Sequence, residues 1–179
     1  MNEDDVKGLP TKYDGTQFRS RTEARHAMFF DLSGIQYHYE YEGFDLDGVW
    51  YVPDFYLPRL QSWIEIKPFP PTEEEQEKCE RLARATEMST FCFVGNPSSH
   101  PFDKGSAYAW TPAQNFNRDS SYNFIQCYKC GAICIGSLNH TYVHRCGSKT
   151  DSGAKADGEA PRLKWSREVV RRFRFDEFK

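Results

Sequence analysis

The 179-residue chain has no long apolar run, no net positive charge and no internal repeat. Without roughly 20 consecutive apolar residues it has no segment to span a bilayer as a helix. No apolar stretch near its start reads as a secretory signal, so a membrane partner is not expected. Lys and Arg number 23 against 26 Asp and Glu, for a formal net charge of -3. A global basic field for nucleic acid is therefore absent, and any phosphate contact must come from local patches. The six cysteines come without a secretory signal. That points to a reducing compartment and favours metal binding over disulfides. What the chain does have is an aromatic share of 16%, which argues for a folded protein, and enough length for one good core plus a small accessory module.

The chemistry concentrates in one stretch. Residues 52–57 and 62–67 are apolar, aromatic and β-branched, which favours strands. Between them Pro58-Arg59-Leu60-Gln61 reads as a four-residue hairpin loop. Pairing Leu57 with Ser62 sets Asp54 opposite Glu65. Lys67 then shares their face, while Ile64 and Ile66 point the other way into a core. Two carboxylates facing each other across a ladder repel. An edge hairpin with solvated charges is the simpler reading, and a bound cation is the other. Oxygen ligands, a partly open coordination shell and a neighbouring ammonium suit Mg²⁺ and a phosphate group.

The rest of the chain frames that hairpin. Residues 1–12 are polar and read as a mobile terminus. Ala24, Ala27, Met28, Phe29 and Leu32 recur at helical spacing, and Gly34 fits a C-terminal cap. Ser20-Arg21-Thr22-Glu23 matches a capping box, with Glu23 reaching back to Ser20, and that role stands level with a ligand role for Glu23. His26, one turn later, either faces the same cleft or lies on the helix surface. Residues 35–41 and 49–57 are strand-like, joined by a turn at Asp45-Leu46-Asp47-Gly48. After the stiff Pro68, Pro70 and Pro71, Thr72 opens a second helix, with Glu73, Glu74 and Glu75 where the dipole favours acid. Cys79, Leu82 and Ala83 form its buried stripe. Residues 90–94 read as a fourth strand with Cys92 in the core. Helix, three-strand meander, helix, strand describes a compact mixed α/β domain over residues 13–97. Residues 98–121 form an irregular linker with one short strand at 107–110, and 148–160 form a flexible linker.

Residues 122–147 hold four Cys and two His. Cys127-Tyr128-Lys129-Cys130-Gly131 has the form of a zinc knuckle, and His144-Arg145-Cys146-Gly147 supplies an opposite corner. Tetrahedral Zn²⁺ on Cys127, Cys130, His144 and Cys146 is the first choice, with Cys134 and His140 as substitutes. Unpaired thiols are the plainer reading. Over residues 161–179 an amphipathic helix places Trp165, Val169, Val170 and Phe173 on one face. Lys164, Arg167, Arg171 and Arg174 cluster opposite. These charges either sit solvated on a docked helix or follow DNA phosphates.

Phe18-Arg19-Ser20-Arg21-Thr22-Glu23, Tyr39-Glu40-Tyr41-Glu42, residues 51–58 and Trp63-Ile64-Glu65-Ile66-Lys67 occur in this order. Together they resemble the PD-(D/E)XK nuclease superfamily, and within it the phage endonuclease I-type Holliday-junction resolvases. The resemblance implies a restriction-endonuclease-like core of α/β (α+β) class. It also implies catalytic Glu23, Asp54, Glu65 and Lys67, and tips Glu23 from cap to ligand. Mg²⁺ (or Mn²⁺) would rest on Asp54, Glu65 and Glu23, with the Ile66 carbonyl as a further oxygen. The implied function is a Mg²⁺-dependent DNA endonuclease hydrolysing phosphodiester bonds, on branched or structured DNA such as Holliday junctions. A restriction-like or transposase-type endonuclease on linear duplex is the alternative within the same chemistry. A non-catalytic, zinc-containing DNA-binding protein is the alternative outside it, and the intact Asp54, Glu65 and Lys67 speak against it. Junction specificity in that family rests on an intertwined dimer, so the expected partners are DNA and a second copy of the chain. The expected place is the cytoplasm, that of the host if the chain is phage-encoded. Lys67 is followed by Pro68, where the family commonly has a small residue. The cysteine module and the basic tail lie outside the resemblance.

Overall fold

The computed structural model describes residues 8–97, 107–112, 115–116, 118–119, 122–127, 130–137, 142–143, 149–150 and 161–175. It begins with a hairpin of β1 (Thr11–Tyr13) and β2 (Thr16–Phe18). Asp14 and Gly15 both have positive φ, 45° and 78°, as a two-residue turn of primed type requires. Order thus starts earlier than the polar composition suggests: Thr11 and Phe18 are buried. Helix α1 (Arg21–Ser33) takes Ser20 as N-cap and Gly34, in the left-handed region, as C-cap, both as the sequence predicts.

The strand expected over residues 35–41 is only β3 (His38–Tyr39). Next comes a separate hairpin of β4 (Phe44–Leu46) and β5 (Val49–Tyr51). Asp45 and Leu46, expected in a turn, belong to its first strand, and the turn is Asp47-Gly48 alone. The strand expected over residues 49–57 breaks at Val52-Pro53, because proline has no amide for the ladder. Its second part, β6 (Phe55–Leu57), joins a different sheet and pairs with β7 (Ser62–Lys67), Leu57 opposite Ser62. Helix α2 (Glu73–Thr86), opened by a full capping box between Thr72 and Glu75, crosses over to β8 (Ser89–Val94), parallel to β7. The chain continues through β9 (Ala107–Trp110) and β10 (Arg118–Asp119). Then follow a hairpin of β11 (Tyr122–Gln126) with β12 (Ile133–Ser137), a short pair of β13 (Tyr142–Val143) with β14 (Lys149–Thr150), and α3 (Pro161–Arg172).

The result is a mixed α+β fold around a six-stranded mixed sheet, ordered β10-β9-β8-β7-β6-β3. Strand alternation sends Phe55, Ile64, Ile66, Phe91 and Phe93 to one face, against Ala24, Ala27, Phe29 and Phe30 of α1. Trp63 and Cys92 go to the other, against Cys79, Leu82 and Ala83 of α2 and Leu46 of the inserted hairpin. No helix among the described residues is long and apolar enough to cross a membrane.

The C-terminal segments, expected as separate units, share this core. Phe124 of β11 stacks on Phe93 at 4.9 Å and lies 5.6 Å from both Phe29 and Phe30. Leu163 and Val170 of α3 are buried in the same cluster. The buried stripe of α3 also corrects the expected faces. Leu163, Ser166, Arg167 and Val170 are inside, whereas Trp165 is 55% exposed. Arg167 therefore does not belong to a phosphate-tracking stripe. It donates to the Pro97 carbonyl at 2.6 Å and to Asn123 Oδ1 at 3.0 Å, and its guanidinium lies 5.1 Å from the Phe29 ring centroid. A planar guanidinium tolerates such a site because its fork serves several acceptors while its face stacks on an aromatic ring. Lys164, Arg171 and Arg174 stay exposed, with Arg171 paired to Glu168 at 2.8 Å.

Arg167→Ala should cost about 1–3 kcal/mol of folding stability, because it takes a charged donor from the buried Pro97 carbonyl and one of two donors from Asn123 Oδ1. Arg171→Ala should leave the unfolding midpoint unchanged. Denaturant titration of both variants checks this, and equal midpoints would contradict a docked Arg167.

Candidate active site

The expected residues meet at one end of β7. Asp54 precedes β6 by one residue, so the Phe55–Ile64 pairing carries it opposite Glu65. Its Oδ2 accepts from the Ile66 amide at 2.7 Å and its Oδ1 from Arg19 Nη2 at 2.6 Å. Glu65 Oε2 accepts from the Tyr51 hydroxyl at 2.6 Å, and Oε1 lies 2.9 Å from Lys67 Nζ. Lys67 also reaches Glu75 Oε1 at 3.0 Å. Glu23 enters from α1. Its carboxylate takes the Ser20 and Tyr39 hydroxyls, each at 2.7 Å, instead of closing the expected capping box. Glu23, Asp54 and Glu65 are all nearly inaccessible, at 6%, 3% and 6%.

His26 takes neither of its expected places. It is buried, with Nε2 3.0 Å from the Gly95 carbonyl. Burial lowers its pKa to about 4, with the Gly95 bond opposing and the Arg167 charge adding, so the ring is neutral. Gly95 in turn donates to the Lys67 carbonyl at 2.7 Å. His26 thus braces the backbone that carries Lys67.

Arg19, Tyr39, Tyr51 and Glu75 complete the arrangement, and the sequence alone did not mark them as site residues. In the sequence Glu75 reads only as an acid in the first turn of a helix, where the dipole favours it. Tyr51 occupies a strand whose face becomes readable only once the break at Pro53 is known. Arg19 stands within the motif that ends at Glu23, and its position beside the N-cap was the available signal.

Electrostatics define what this site can hold. Glu23, Glu40, Asp54, Glu65 and Glu75 face two cations, Arg19 and Lys67. Burial pushes the Asp54 carboxyl well above its ordinary range. The Glu65 and Glu23 charges add to this, against the Ile66 amide and Arg19. Burial pulls the Lys67 pKa down, but Glu65 and Glu75 outweigh it and raise it. The donor set is carboxylate oxygen with negative charge in excess, which fits a hard divalent cation. Among the described residues no group of three or more His, Cys, Asp or Glu side chains stands ready to hold a metal ion. Hydrogen bonds from Arg19, Tyr39, Tyr51 and Lys67 occupy the oxygens.

At the knuckle, Cys127 and Cys134 are buried and Cys130 is exposed. The Gly131 amide donates to the Cys127 carbonyl, and the Cys127 amide to the Ala132 carbonyl, each at 2.8 Å. Gly131 has φ of 72°, the left-handed turn position that its glycine supplies. His140, His144 and Cys146 lie outside the described residues. Cys79 and Cys92 are core residues, as expected, and burial raises both thiol pKa values. Compared with known proteins, the chain matches no family model, no curated protein and no solved structure.

Asp54 binds its proton more tightly in the folded chain than in the unfolded one. Stability is therefore lost as pH rises from the ordinary carboxylate range through the raised value. In the presence of a chelator, Asp54→Asn should melt higher than the native chain at pH 8, and this advantage should shrink as the pH falls toward about 4. Melting curves across that range test it. A variant that melts lower at pH 8 would mean that the Arg19 and Ile66 bonds outweigh the repulsion.

Proposed function

We propose that the chain is a Mg²⁺- or Mn²⁺-dependent DNA endonuclease with a restriction-endonuclease-like core, acting on branched or structured DNA. The carrying observation is the buried set of Glu23, Asp54 and Glu65, in charge excess, beside an ammonium that Glu65 and Glu75 keep protonated. The choice of branched DNA, and of a homodimer, rests on the four ordered motifs of residues 18–67.

Asp54, Glu65 and the Ile66 carbonyl would hold the divalent cation, which when bound supplies Lewis acidity and a water of lowered pKa. Lys67 orients the attacking water and offsets the charge that grows on the non-bridging phosphate oxygens. Glu75 fixes Lys67 Nζ beside Glu65. Glu23 orients the water from the α1 side. The water oxygen bonds to phosphorus as the bridging P–O bond breaks; the water gives up a proton to solvent, and the departing oxygen takes one from solvent. Tyr51 limits the rotation of Glu65 through its 2.6 Å bond.

Nicking of supercoiled plasmid with and without Mg²⁺ tests the chemistry, and four-way junction, flap and linear substrates test the preference. Asp54→Ala and Glu65→Ala should abolish cleavage and keep DNA affinity, which comes mostly from phosphate contacts. Lys67→Ala should lower turnover by about 10²-fold or more, the loss typical of one transition-state donor. Glu23→Gln should stay folded and be impaired. Cleavage near the native rate by the Asp54 or Glu65 variant would end the assignment.

The Cys-x-x-Cys-Gly spacing and the backbone bonds of Cys127 with Gly131 and Ala132 support a structural Zn²⁺ on Cys127 and Cys130. Elemental analysis should find about one zinc per chain. Because Phe124 and Ile135 of the same hairpin sit in the main core, Cys127→Ser should lose the metal and lower the stability of the whole chain. Zinc-free protein purified without chelators would refute the site.

A further inference from the structure

Arg19 is bound to a buried carboxylate yet open to solvent. Its side chain is 56% exposed, while that of Asp54, 2.6 Å away, is 4% exposed. The other donors to the carboxylates are fixed by the fold. Tyr51 and Tyr39 lie on strands, Ser20 is the N-cap of α1, Lys67 ends β7, and the Ile66 amide is backbone. Arg19 instead sits between β2 and the N-cap Ser20, held at its amide by the Tyr39 hydroxyl at 3.0 Å. Its second ion pair, Nε to Glu40 Oε1 at 2.8 Å, is with a partly exposed group, at 37%. The guanidinium can therefore leave Asp54 without breaking a strand or a cap.

We propose that Arg19 is an exchangeable counter-charge. It neutralises Asp54 while no divalent cation is bound, is displaced from Asp54 by one, and then takes a phosphate of the bound DNA. The proposal rests on the metal-dependent reading above. A guanidinium and a metal ion compete for the same Oδ1 lone pairs, and their positive charges repel. Displacement turns the planar fork toward solvent, where it matches a phosphate in two-point geometry. Arg19 would thus make the site electrostatically complete before and after the cation arrives, and would tie metal uptake to DNA grip.

The test uses the full chain and two readouts that do not require cleavage. Calorimetric Mn²⁺ titration of Arg19→Ala should show about tenfold tighter binding than the native chain, the size of one opposite-charge contact on a carboxylate. Binding to a synthetic four-way junction should be equal for both in chelator. In Ca²⁺ the variant should bind several-fold more weakly, with a salt slope smaller by about one phosphate contact. Arg19→Lys keeps the charge and loses the fork, so it should hold Mn²⁺ like the native chain and recover only part of the DNA gain. Unchanged or weaker Mn²⁺ binding by Arg19→Ala overturns the exchange. An equal loss of DNA affinity in chelator and in Ca²⁺ also overturns it, since Arg19 would then be a permanent DNA contact. A chain that behaves as proposed in both readouts but cuts no substrate would retire the endonuclease reading and leave the exchange standing.

Discussion

Glu23, Asp54 and Glu65 bring three carboxyl groups into a poorly solvated corner of the sheet, and the surrounding structure is arranged to bear them. Each takes two donors. Asp54 has a strand amide and Arg19, Glu65 has Tyr51 and Lys67, and Glu23 has Ser20 and Tyr39. Unpaired buried carboxylates would be neutralised or would unfold the site. The inserted β4–β5 hairpin delivers Tyr51, the start of α2 delivers Glu75, and β3 delivers Tyr39. Elements that look peripheral in the sheet order are therefore needed at the site.

The C-terminal part of the chain enters the same logic from behind. Arg167 of α3 holds the Pro97 carbonyl, His26 holds the Gly95 carbonyl, and Gly95 holds the Lys67 carbonyl. Neutral His26 and charged Arg167 thus brace the segment after β8 that fixes the end of β7. The aromatic contacts of Phe124 with Phe29, Phe30 and Phe93 bind the cysteine hairpin to the same core. Loss of packing in this region should reach the site through backbone position.

Much of this arrangement was legible in the sequence, for physical reasons that differ by element. The Leu57–Ser62 register followed from alternation and loop length, so the placement of Asp54, Glu65 and Lys67 followed with it. Both helix starts were readable because Ser20 and Thr72 are local signals. The strand over 49–57 was over-extended because alternation continues through Pro53 while the hydrogen-bond ladder cannot. Arg167 was assigned to the surface because its burial depends on a carbonyl and an asparagine far away in sequence. The tyrosine donors were missed for the same reason: a hydroxyl's partner is a tertiary fact. Of the residues expected to ligate zinc, His140, His144 and Cys146 lie outside those described.

The central claim is that the crowded carboxylates form a divalent-cation site. Anomalous diffraction from crystals of the full chain grown in Mn²⁺ tests it most directly. The account predicts an ion about 2.0–2.2 Å from oxygens of Asp54 and Glu65, as hard-cation coordination requires, with the Arg19–Asp54 bond opened. A saturated crystal with no anomalous peak there, and with the Arg19–Asp54 and Tyr51–Glu65 bonds intact, would contradict it.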